Sequence, residues 1–300
     1  MIYTVTFNPA LDYIMRLPRL EAGETNRSTA EAIFFGGKGI NVSRVLKELG
    51  QETTLFGFIA GFTGDALAEA LEKMGLRTDF VRLPKGMTRI NVKIKETAET
   101  EINAGGPPIS EEALQALLQK LETLQARDTL VLAGSIPASV PKDIYCTVAE
   151  RMAEKGVRAV VDATGELLLN TLKHHPFLIK PNHRELEELA GRELQPEAEL
   201  IAAARELQKK GARNVLISRG AEGAVLLDEN GAVYKKPAPA VKAVNTVGAG
   251  DSMVAGFLAG IEKGSEYALS LAIAAGSATA SMEDLATAEQ ITKIFRNGIC

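Results

Sequence analysis

Tryptophan is absent from this chain of 300 residues, which also contains only two cysteines and three histidines. Cys146 and Cys300 form no CxxC motif and are too few for a disulfide framework, which favours a reducing compartment. His174, His175 and His183 are not spaced with the cysteines as zinc ligands, so no structural zinc site is predicted. A chain of this length buries roughly 75% of its unfolded surface, so it needs neither disulfides nor a structural metal to be stable.

Long apolar runs and a strong excess of one charge are also missing. The longest apolar run, MVAGFLAGI at 253–261, falls well short of the ~20 residues that span a bilayer. No basic segment followed by an apolar stretch opens the chain, so no signal peptide is expected. The net charge is −4 with lysine and arginine scattered along the chain, which is not the footprint of nucleic-acid binding. We therefore expect a cytoplasmic, soluble protein that binds neither nucleic acid nor a membrane.

Short β-branched runs alternate with segments of helical periodicity through most of the chain. The runs predict strands at 2–7, 53–58, 129–133, 157–161, 177–180 and 213–218. The periodic segments predict helices at 39–49, 64–74, 110–124, 141–155, 183–190 and 196–210, and then at 249–262, 264–281 and 287–296. Such alternation is typical of an α/β protein, a three-layer αβα sandwich with a central, mostly parallel sheet.

Two stretches break this alternation, at about 11–35 and 88–103. Both look like strands without crossover helices, and TRINVKIKETAETEIN alternates with a period of two, as in a half-exposed hairpin. They are too short to form a core of their own, so we expect a small β-sheet lid over one edge of a single domain spanning 1–300. An exposed apolar face of that sheet would invite a second copy of the chain.

The segment Asn245-Thr246-Val247-Gly248-Ala249-Gly250-Asp251 leads directly into a predicted helix. Small residues let the backbone approach a ligand closely, and free N–H groups at a helix N-terminus bind anions. An aspartate beside such a site repels the anion, so its presence indicates a separate function. Accepting a proton from an attacking hydroxyl is one such function. The alternative is a glycine-rich turn in which Asp251 merely caps the helix.

A second glycine-rich turn, Gly36-Gly37-Lys38-Gly39-Ile40-Asn41, also precedes a helix. It does not match a Walker A loop, because glycine follows Gly37-Lys38 where serine or threonine is required. Lys38 would supply a point charge for an anionic ligand, and Asn41 a hydrogen bond to a hydroxyl. A plain turn with a solvated lysine is the alternative.

Two further segments follow predicted strands, where open α/β sheets bind ligands. Asn182 and Glu185 offer oxygen ligands to Mg²⁺, directly or through water, but they are equally suited to a capping box. The segment 218–223, SRGAEG, would make a tight hairpin without any function, or a glycine loop that holds a nucleotide.

The order and spacing of these motifs resemble the PfkB carbohydrate kinases, which have the ribokinase-like fold. GGKGINVSRVLKELG resembles the N-terminal signature of that family, and NTVGAGDSMVAGFL resembles its C-terminal signature. The resemblance extends over essentially the whole chain and implies an ATP-dependent sugar kinase. Phrases such as TVTFNPALD, TRINVKIK and FLIKPN are most similar to family members that act on sugar phosphates.

The resemblance also implies roles for individual residues. Asp251 matches the general base, and the amides of Gly248, Ala249 and Gly250 match the anion hole for the transferred phosphoryl group. Asp12, Gly37, Lys38 and Asn41 match positions of the sugar pocket, while Arg89 and Ser135 match contacts near the substrate phosphate. The positions that match nucleotide contacts are Lys180, Asn182, Ser218, Gly220, Ala221 and Gly223.

Two cations are implied by the same resemblance. Asn182 and Glu185 match an Asn-x-x-Glu motif that organises Mg²⁺ and phosphates. A K⁺ ion bound by backbone carbonyls beside the anion hole would use those of Asn245 and Val247. The extra strands match a lid that often forms a dimer contact, so a homodimer through the lid is expected.

The substrate expected from this resemblance is fructose 1-phosphate, phosphorylated at O6 to give fructose 1,6-bisphosphate. Fructofuranose carries a hydroxymethyl group on each side of its ring oxygen, so a site that grips one end presents the other to Asp251. Tagatose 6-phosphate could bind in the opposite sense, which leaves a tagatose-6-phosphate kinase as the alternative. A sugar-phosphate-binding regulator without catalysis is the alternative from another class of protein.

Overall fold

The computed structural model describes residues 1–96 and 99–298. Cys300 and two residues of the predicted lid, at 97 and 98, therefore lie outside the described residues. The described strands are β1 (Ile2–Thr6), β2 (Ala10–Arg16), β3 (Ala30–Gly36), β4 (Thr53–Ala60), β5 (Arg77–Thr78), β6 (Val81–Leu83), β7 (Arg89–Lys95), β8 (Glu99–Ile102), β9 (Thr129–Ala133), β10 (Arg158–Asp162), β11 (Leu178–Ile179), β12 (Asn214–Ser218), β13 (Ala224–Leu227) and β14 (Val233–Lys236).

Ten α-helices are described alongside these strands. They are α1 (Lys38–Glu48), α2 (Gly61–Lys73), α3 (Glu111–Leu121), α4 (Ile144–Glu154), α5 (Gly165–Leu169), α6 (His183–Ala190), α7 (Glu197–Lys209), α8 (Ala249–Gly260), α9 (Ser265–Ala280) and α10 (Ala288–Gly298). Short 3₁₀ turns occupy Leu172–His174, Gly220–Glu222 and Ile261–Lys263.

The main sheet has the order β14-β13-β12-β11-β10-β9-β1-β4-β5, and β6 also pairs with β4. All pairs from β12 to β5 are parallel, whereas β13 and β14 are antiparallel. The parallel strands therefore end at one edge of the sheet, and the loops that follow them meet there.

Helices cover both faces of this sheet, as the alternating pattern predicts. Residues of α3, α4, α6 and α7 form one apolar cluster with the sheet, centred on side chains such as Leu117, Tyr145 and Leu207. Residues of α1, α8, α9 and α10 form the opposite cluster, which includes Val45 and Phe257. The predicted three-layer αβα architecture is thus confirmed.

The second sheet is separate from the main sheet and has the order β3-β2-β7-β8. β2 and β3 are antiparallel, β2 and β7 are parallel, and β7 and β8 form an antiparallel hairpin. Because side chains alternate across a strand, Asp12 and Asn91 share the inner face, whereas Tyr13 and Val92 share the outer one. We call this four-stranded unit the lid sheet.

Several short elements were not predicted from the sequence. β5, β6 and α5 have two, three and five residues, which is too short to produce a recognisable period. The helix predicted at 64–74 begins earlier, at Gly61, whose φ of 58° marks a turn out of β4. Within the described part of the chain, none of the helices combines the length and apolar character that crossing a membrane requires.

Candidate active site

The loops at the carboxyl edge of the main sheet enclose a cavity of about 810 Å³ beneath the inner face of the lid sheet. The cavity brings together residues that are far apart in the sequence. The predicted site residues that line it are Asp12, Gly37, Lys38, Asn41, Arg89, Ser135, Lys180, Asn182, Glu185, Ser218, Val247, Gly248, Gly250 and Asp251.

The remaining predicted residues line neighbouring spaces. Gly220, Ala221, Gly223 and Ala249 line a second, more apolar cavity of about 500 Å³, which shares Ser218 and Gly250 with the first cavity. Asn245 lines a separate crevice of about 520 Å³ between the lid sheet and the main domain. The second cavity therefore opens from the first beside the N-terminus of α8.

The N-terminus of α8 has the geometry of an anion site. Gly248 precedes the helix with a φ of 80°, and a Cβ atom there would lie 2.6 Å from the Leu285 side chain. Ala249 N–H donates to Thr246 and Ser252 N–H to Gly248. Of the three amides predicted for the anion hole, that of Ala249 is thus already bonded, whereas those of Gly248 and Gly250, and also that of Asp251, have no carbonyl partner among the described residues. Free amides at a helix start attract negative charge.

Asp251 lies in the first turn of α8 and is almost fully buried, with 5% of its surface exposed. Its Oδ2 accepts a hydrogen bond of 2.8 Å from Asn41 Nδ2 of α1. The expectation that Asp251 could merely cap the helix is wrong, because Gly248 occupies the N-cap position. Burial and the nearby charge of Asp162 raise the pKa of Asp251 to about 6, against the opposing effect of Lys38. A carboxyl group with this pKa is a base near neutral pH.

Asp162 is a functional candidate that the sequence analysis missed. It is the last residue of β10, is 2% exposed, and lines the cavity. Its carboxylate accepts from Lys38 Nζ at 3.1 Å and lies 3.4 Å from Lys180 Nζ. Burial alone would raise the pKa of Asp162, but the two ammonium groups outweigh it and lower that pKa below its ordinary value. Its place directly after a buried strand was the only sequence signal for it.

Asp12 and Arg89 also line the main cavity. Asn91 Nδ2 donates to Asp12 Oδ1 at 2.8 Å, so neighbouring strands of the lid sheet fix this carboxylate. Arg89 donates from Nε to the carbonyl of Asn8 at 3.2 Å and from Nη1 to that of Ala104 at 3.3 Å. These bonds hold the guanidinium at the wall of the cavity. Asn8 and Asn91, to which the sequence analysis assigned no role, thereby support the two predicted residues.

The capping-box interpretation of Asn182 and Glu185 is confirmed. Asn182 Oδ1 accepts from Glu185 N at 2.8 Å, and Glu185 Oε2 accepts from Asn182 N at 2.8 Å. Both side chains nevertheless line the main cavity. Because each carboxylate has two oxygens, the capping box leaves Glu185 Oε1 for other partners.

The segment 218–223 joins two antiparallel strands through a 3₁₀ turn at Gly220–Glu222. A Cβ atom at Gly223 would lie 2.1 Å from the carbonyl oxygen of Lys236, so the chain passes too closely there for any other residue. The predicted hairpin is confirmed, and it forms one wall of the second cavity.

A buried base, an anion site at a helix N-terminus, several cations and an adjoining apolar cavity define a phosphotransferase site in an α/β fold. The model of the pfkB family carbohydrate kinases matches residues 5–293. The chain belongs to this family.

Relatives of known name or structure are similar over nearly their whole length. A 1-phosphofructokinase of Bacillus subtilis is 46% identical over 98% of this chain and 97% of its own. A D-tagatose-1-phosphate kinase of Bacillus licheniformis is 40% identical over 95% of this chain and 94% of its own. Escherichia coli phosphofructokinase-2, solved with substrates and products and also with potassium, is 30–31% identical, covers 98% of both chains and superposes with TM-scores of 0.93 and 0.91.

Proposed function

We propose that this chain transfers the γ-phosphoryl group of ATP to the C6 hydroxyl of fructose 1-phosphate, giving fructose 1,6-bisphosphate. The observation that carries this proposal is the buried carboxylate of Asp251 beside the free amides of α8, in a cavity that Arg89 also lines. The curated 1-phosphofructokinase at 46% identity supports this choice of substrate.

The sugar phosphate is expected to bind between the lid sheet and the main domain. Arg89, with its guanidinium fixed by two carbonyls, and Ser135 would hold the phosphate at C1. Asp12 and Asn41 would accept from and donate to the sugar hydroxyls. A substrate held in this way presents its C6 hydroxyl to Asp251.

Transfer then requires one base and a field that stabilises negative charge. The C6 oxygen attacks the γ-phosphorus while the bond to the bridging oxygen of ADP breaks, and the hydroxyl proton passes to Asp251. The amides of Gly250 and Asp251 stabilise the equatorial oxygens of the phosphoryl group as charge redistributes. The adjoining apolar cavity, lined by Ala221, Gly223 and Met253, suits the adenine base.

The donor atoms at the site fit two cations. Asn182 and the free oxygen of Glu185 would hold Mg²⁺ through water, and the bound ion would neutralise phosphate charge. The carbonyls of Asn245 and Val247 accept no hydrogen bond from any other described residue, so both are available to K⁺. The potassium complex of the E. coli neighbour supports this second site.

We further propose a homodimer through the outer face of the lid sheet. Ile33, Tyr13, Val92 and Ile102 form one row across its four strands, and Ile33 and Ile102 are 53% and 58% exposed. An apolar row of this kind suits a second copy of the same sheet.

A second substrate is favoured by the relative that acts on D-tagatose 1-phosphate, which differs from fructose 1-phosphate in configuration at C4. This points to a ketose 1-phosphate rather than to the tagatose 6-phosphate that the sequence motifs left open. The intact base and anion site disfavour the alternative of a sugar-phosphate-binding regulator without catalysis.

The test is ADP release with fructose 1-phosphate, tagatose 1-phosphate, tagatose 6-phosphate, fructose 6-phosphate and ribose as acceptors. We expect the highest kcat/KM for fructose 1-phosphate, with tagatose 1-phosphate next. Equal values for all five acceptors would contradict the choice of substrate. Absence of ADP release with every acceptor, in a sample that binds sugar phosphate, would instead indicate the regulator.

A further inference from the structure

We propose that Asp162 is a positioning residue for phosphoryl transfer, which holds the ammonium groups of Lys38 and Lys180 together at the N-terminus of α8, where both meet the transferring phosphoryl group. This inference rests on the proposed kinase function. It assigns a role to a buried carboxylate that no sequence motif marks.

Three separate elements converge on Asp162. Lys38 is the first residue of α1, Lys180 follows β11, and Asp162 ends β10, which is the neighbour of β11 in the sheet. The Lys38 ammonium is hydrogen-bonded to Oδ2 of Asp162, whereas the Lys180 ammonium lies closer to Oδ1. Since the two oxygens belong to one carboxylate, the two ammonium groups lie next to each other. They therefore contact the same part of a bound substrate rather than its two ends.

Contacts of the lysines with glycine backbone locate this pair. A Cβ atom at Gly250 would lie 3.1 Å from Lys180 Nζ, so this ammonium rests against the first turn of α8. The stem of Lys38 passes Gly134, where a Cβ atom would lie 3.6 Å away. The Lys180 ammonium therefore lies beside the free amides of the anion site, and the Lys38 ammonium, bound to the same Asp162 carboxylate, lies next to it.

Charge explains why a carboxylate is needed between the lysines. Two ammonium groups repel each other, and ordering each long lysine side chain costs rotamer entropy. The carboxylate of Asp162 offsets both effects. Above the pKa of Asp251, the four groups Lys38, Lys180, Asp162 and Asp251 sum to zero charge. When Asp251 takes the proton of the hydroxyl, the sum becomes positive at the moment the phosphoryl group is transferred.

The first experiment compares Asp162→Asn with Asp228→Asn as a matched control. Asp228 is also buried, at 3% exposed, but it accepts from Asn230 N, Ala232 N and Ser265 Oγ outside the cavity. We expect Asp162→Asn to lower kcat by about 10²–10³-fold, the effect of losing aligned transition-state donors. The control should lower the melting temperature without changing kcat.

The second measurement is nucleotide binding by calorimetry, which needs no sugar and no turnover. The probes are ADP and the non-hydrolysable analogue with an imido group between its β- and γ-phosphates. Because the lysines are proposed to contact the terminal phosphate, Asp162→Asn should lower the affinity for the triphosphate analogue about tenfold and the affinity for ADP far less. Equal weakening of both nucleotides would overturn the proposal.

The third measurement is the pH profile of kcat/KM. The groups that act on Asp251 are Asp162, Lys38, Lys180 and the amide of Asn41. Removing the negative charge of Asp162 should move the acid limb to lower pH, whereas Lys38→Met should move it to higher pH. A purely structural role would shift neither limb, and that result would overturn the proposal.

If Asp162→Asn fails to fold, Lys38→Met and Lys180→Met test the same proposal with Asp162 in place. Each substitution should lower the affinity for the triphosphate analogue more than the affinity for ADP. Unchanged discrimination in both variants would overturn the proposal. Because this comparison uses nucleotides alone, it can support the proposal even if the proposed sugar substrate is wrong. If the wild type phosphorylates none of the sugars, that result counts only against the proposed function.

Discussion

Replacing Asp251 by asparagine should abolish most of the activity and, at the same time, stabilise the folded protein. The variant keeps the size of the side chain and can still accept from Asn41, so the packing around α8 is preserved. What it loses is the ability to take a proton. A positioned general base typically contributes 10²–10⁴-fold to the rate, so we expect kcat to fall by about that factor.

The stability gain follows from the pKa of Asp251. Its value in the folded protein, about 6, lies above the ordinary value of 3.8 because of burial and the charge of Asp162. The folded state therefore binds the proton more tightly than the unfolded state, and ionisation costs stability as the pH rises from about 4 to about 6. At about 1.36 kcal/mol per pH unit, the cost above pH 6 is about 3 kcal/mol, which Asp251→Asn removes.

The assay is thermal unfolding of the two proteins between pH 4 and pH 8. A change of about 3 kcal/mol corresponds to about 5 °C in a protein of this size. The melting temperature of the variant should exceed that of the wild type by about this amount at pH 7–8, and the difference should shrink towards pH 4. The acid limb of kcat/KM in the wild type should lie near pH 6. A variant that is less stable than the wild type at pH 8, or that keeps its kcat, would refute the reasoning.

Three other substitutions test separate parts of the site and of the lid sheet. Arg89→Ala should raise KM for fructose 1-phosphate more than tenfold with little change in melting temperature; an unchanged KM would remove Arg89 from the phosphate site. Asn182→Ala should lower the free energy of unfolding by about 1 kcal/mol, because the helix cap is lost. It should also raise the Mg²⁺ concentration needed for half-maximal rate. A Mg²⁺ titration that matches the wild type would show that Asn182 only caps the helix. Ile33→Glu should convert the proposed dimer into a monomer in analytical ultracentrifugation, and a variant that stays dimeric would exclude this face.

The layers of the fold could be predicted because each strand and helix carries its own period. Strands such as β9 and β13 are uniformly buried, and α3 begins where Ser110 accepts from Ala113 N–H, as its sequence suggests. The lid sheet was predictable for a related reason. β7 alternates between its two faces, because one face lines the cavity while the other is partly exposed.

The residues that sequence reasoning missed act through partners that are distant in the chain. Asp162 is 124 residues from Lys38 along the sequence, and Asn91 is 79 residues from Asp12. The first pair exists because α1 packs against β9, the neighbour of β10, and the second because β7 lies beside β2. Strand order is not encoded in any local period, so a motif could indicate Lys38 and Asp12 but not the groups that hold them.

Asp251 and Asn182 show how a structure separates capping from function. Both were open to interpretation as helix caps, and the decisive observation is the partner of each side chain. Asp251 turns away from the helix amides towards Asn41, which leaves those amides free for an anion. Asn182 turns towards the amide of Glu185 and does cap its helix. Capping and metal binding are compatible there, because the cap orients Glu185 and leaves one of its oxygens facing the cavity.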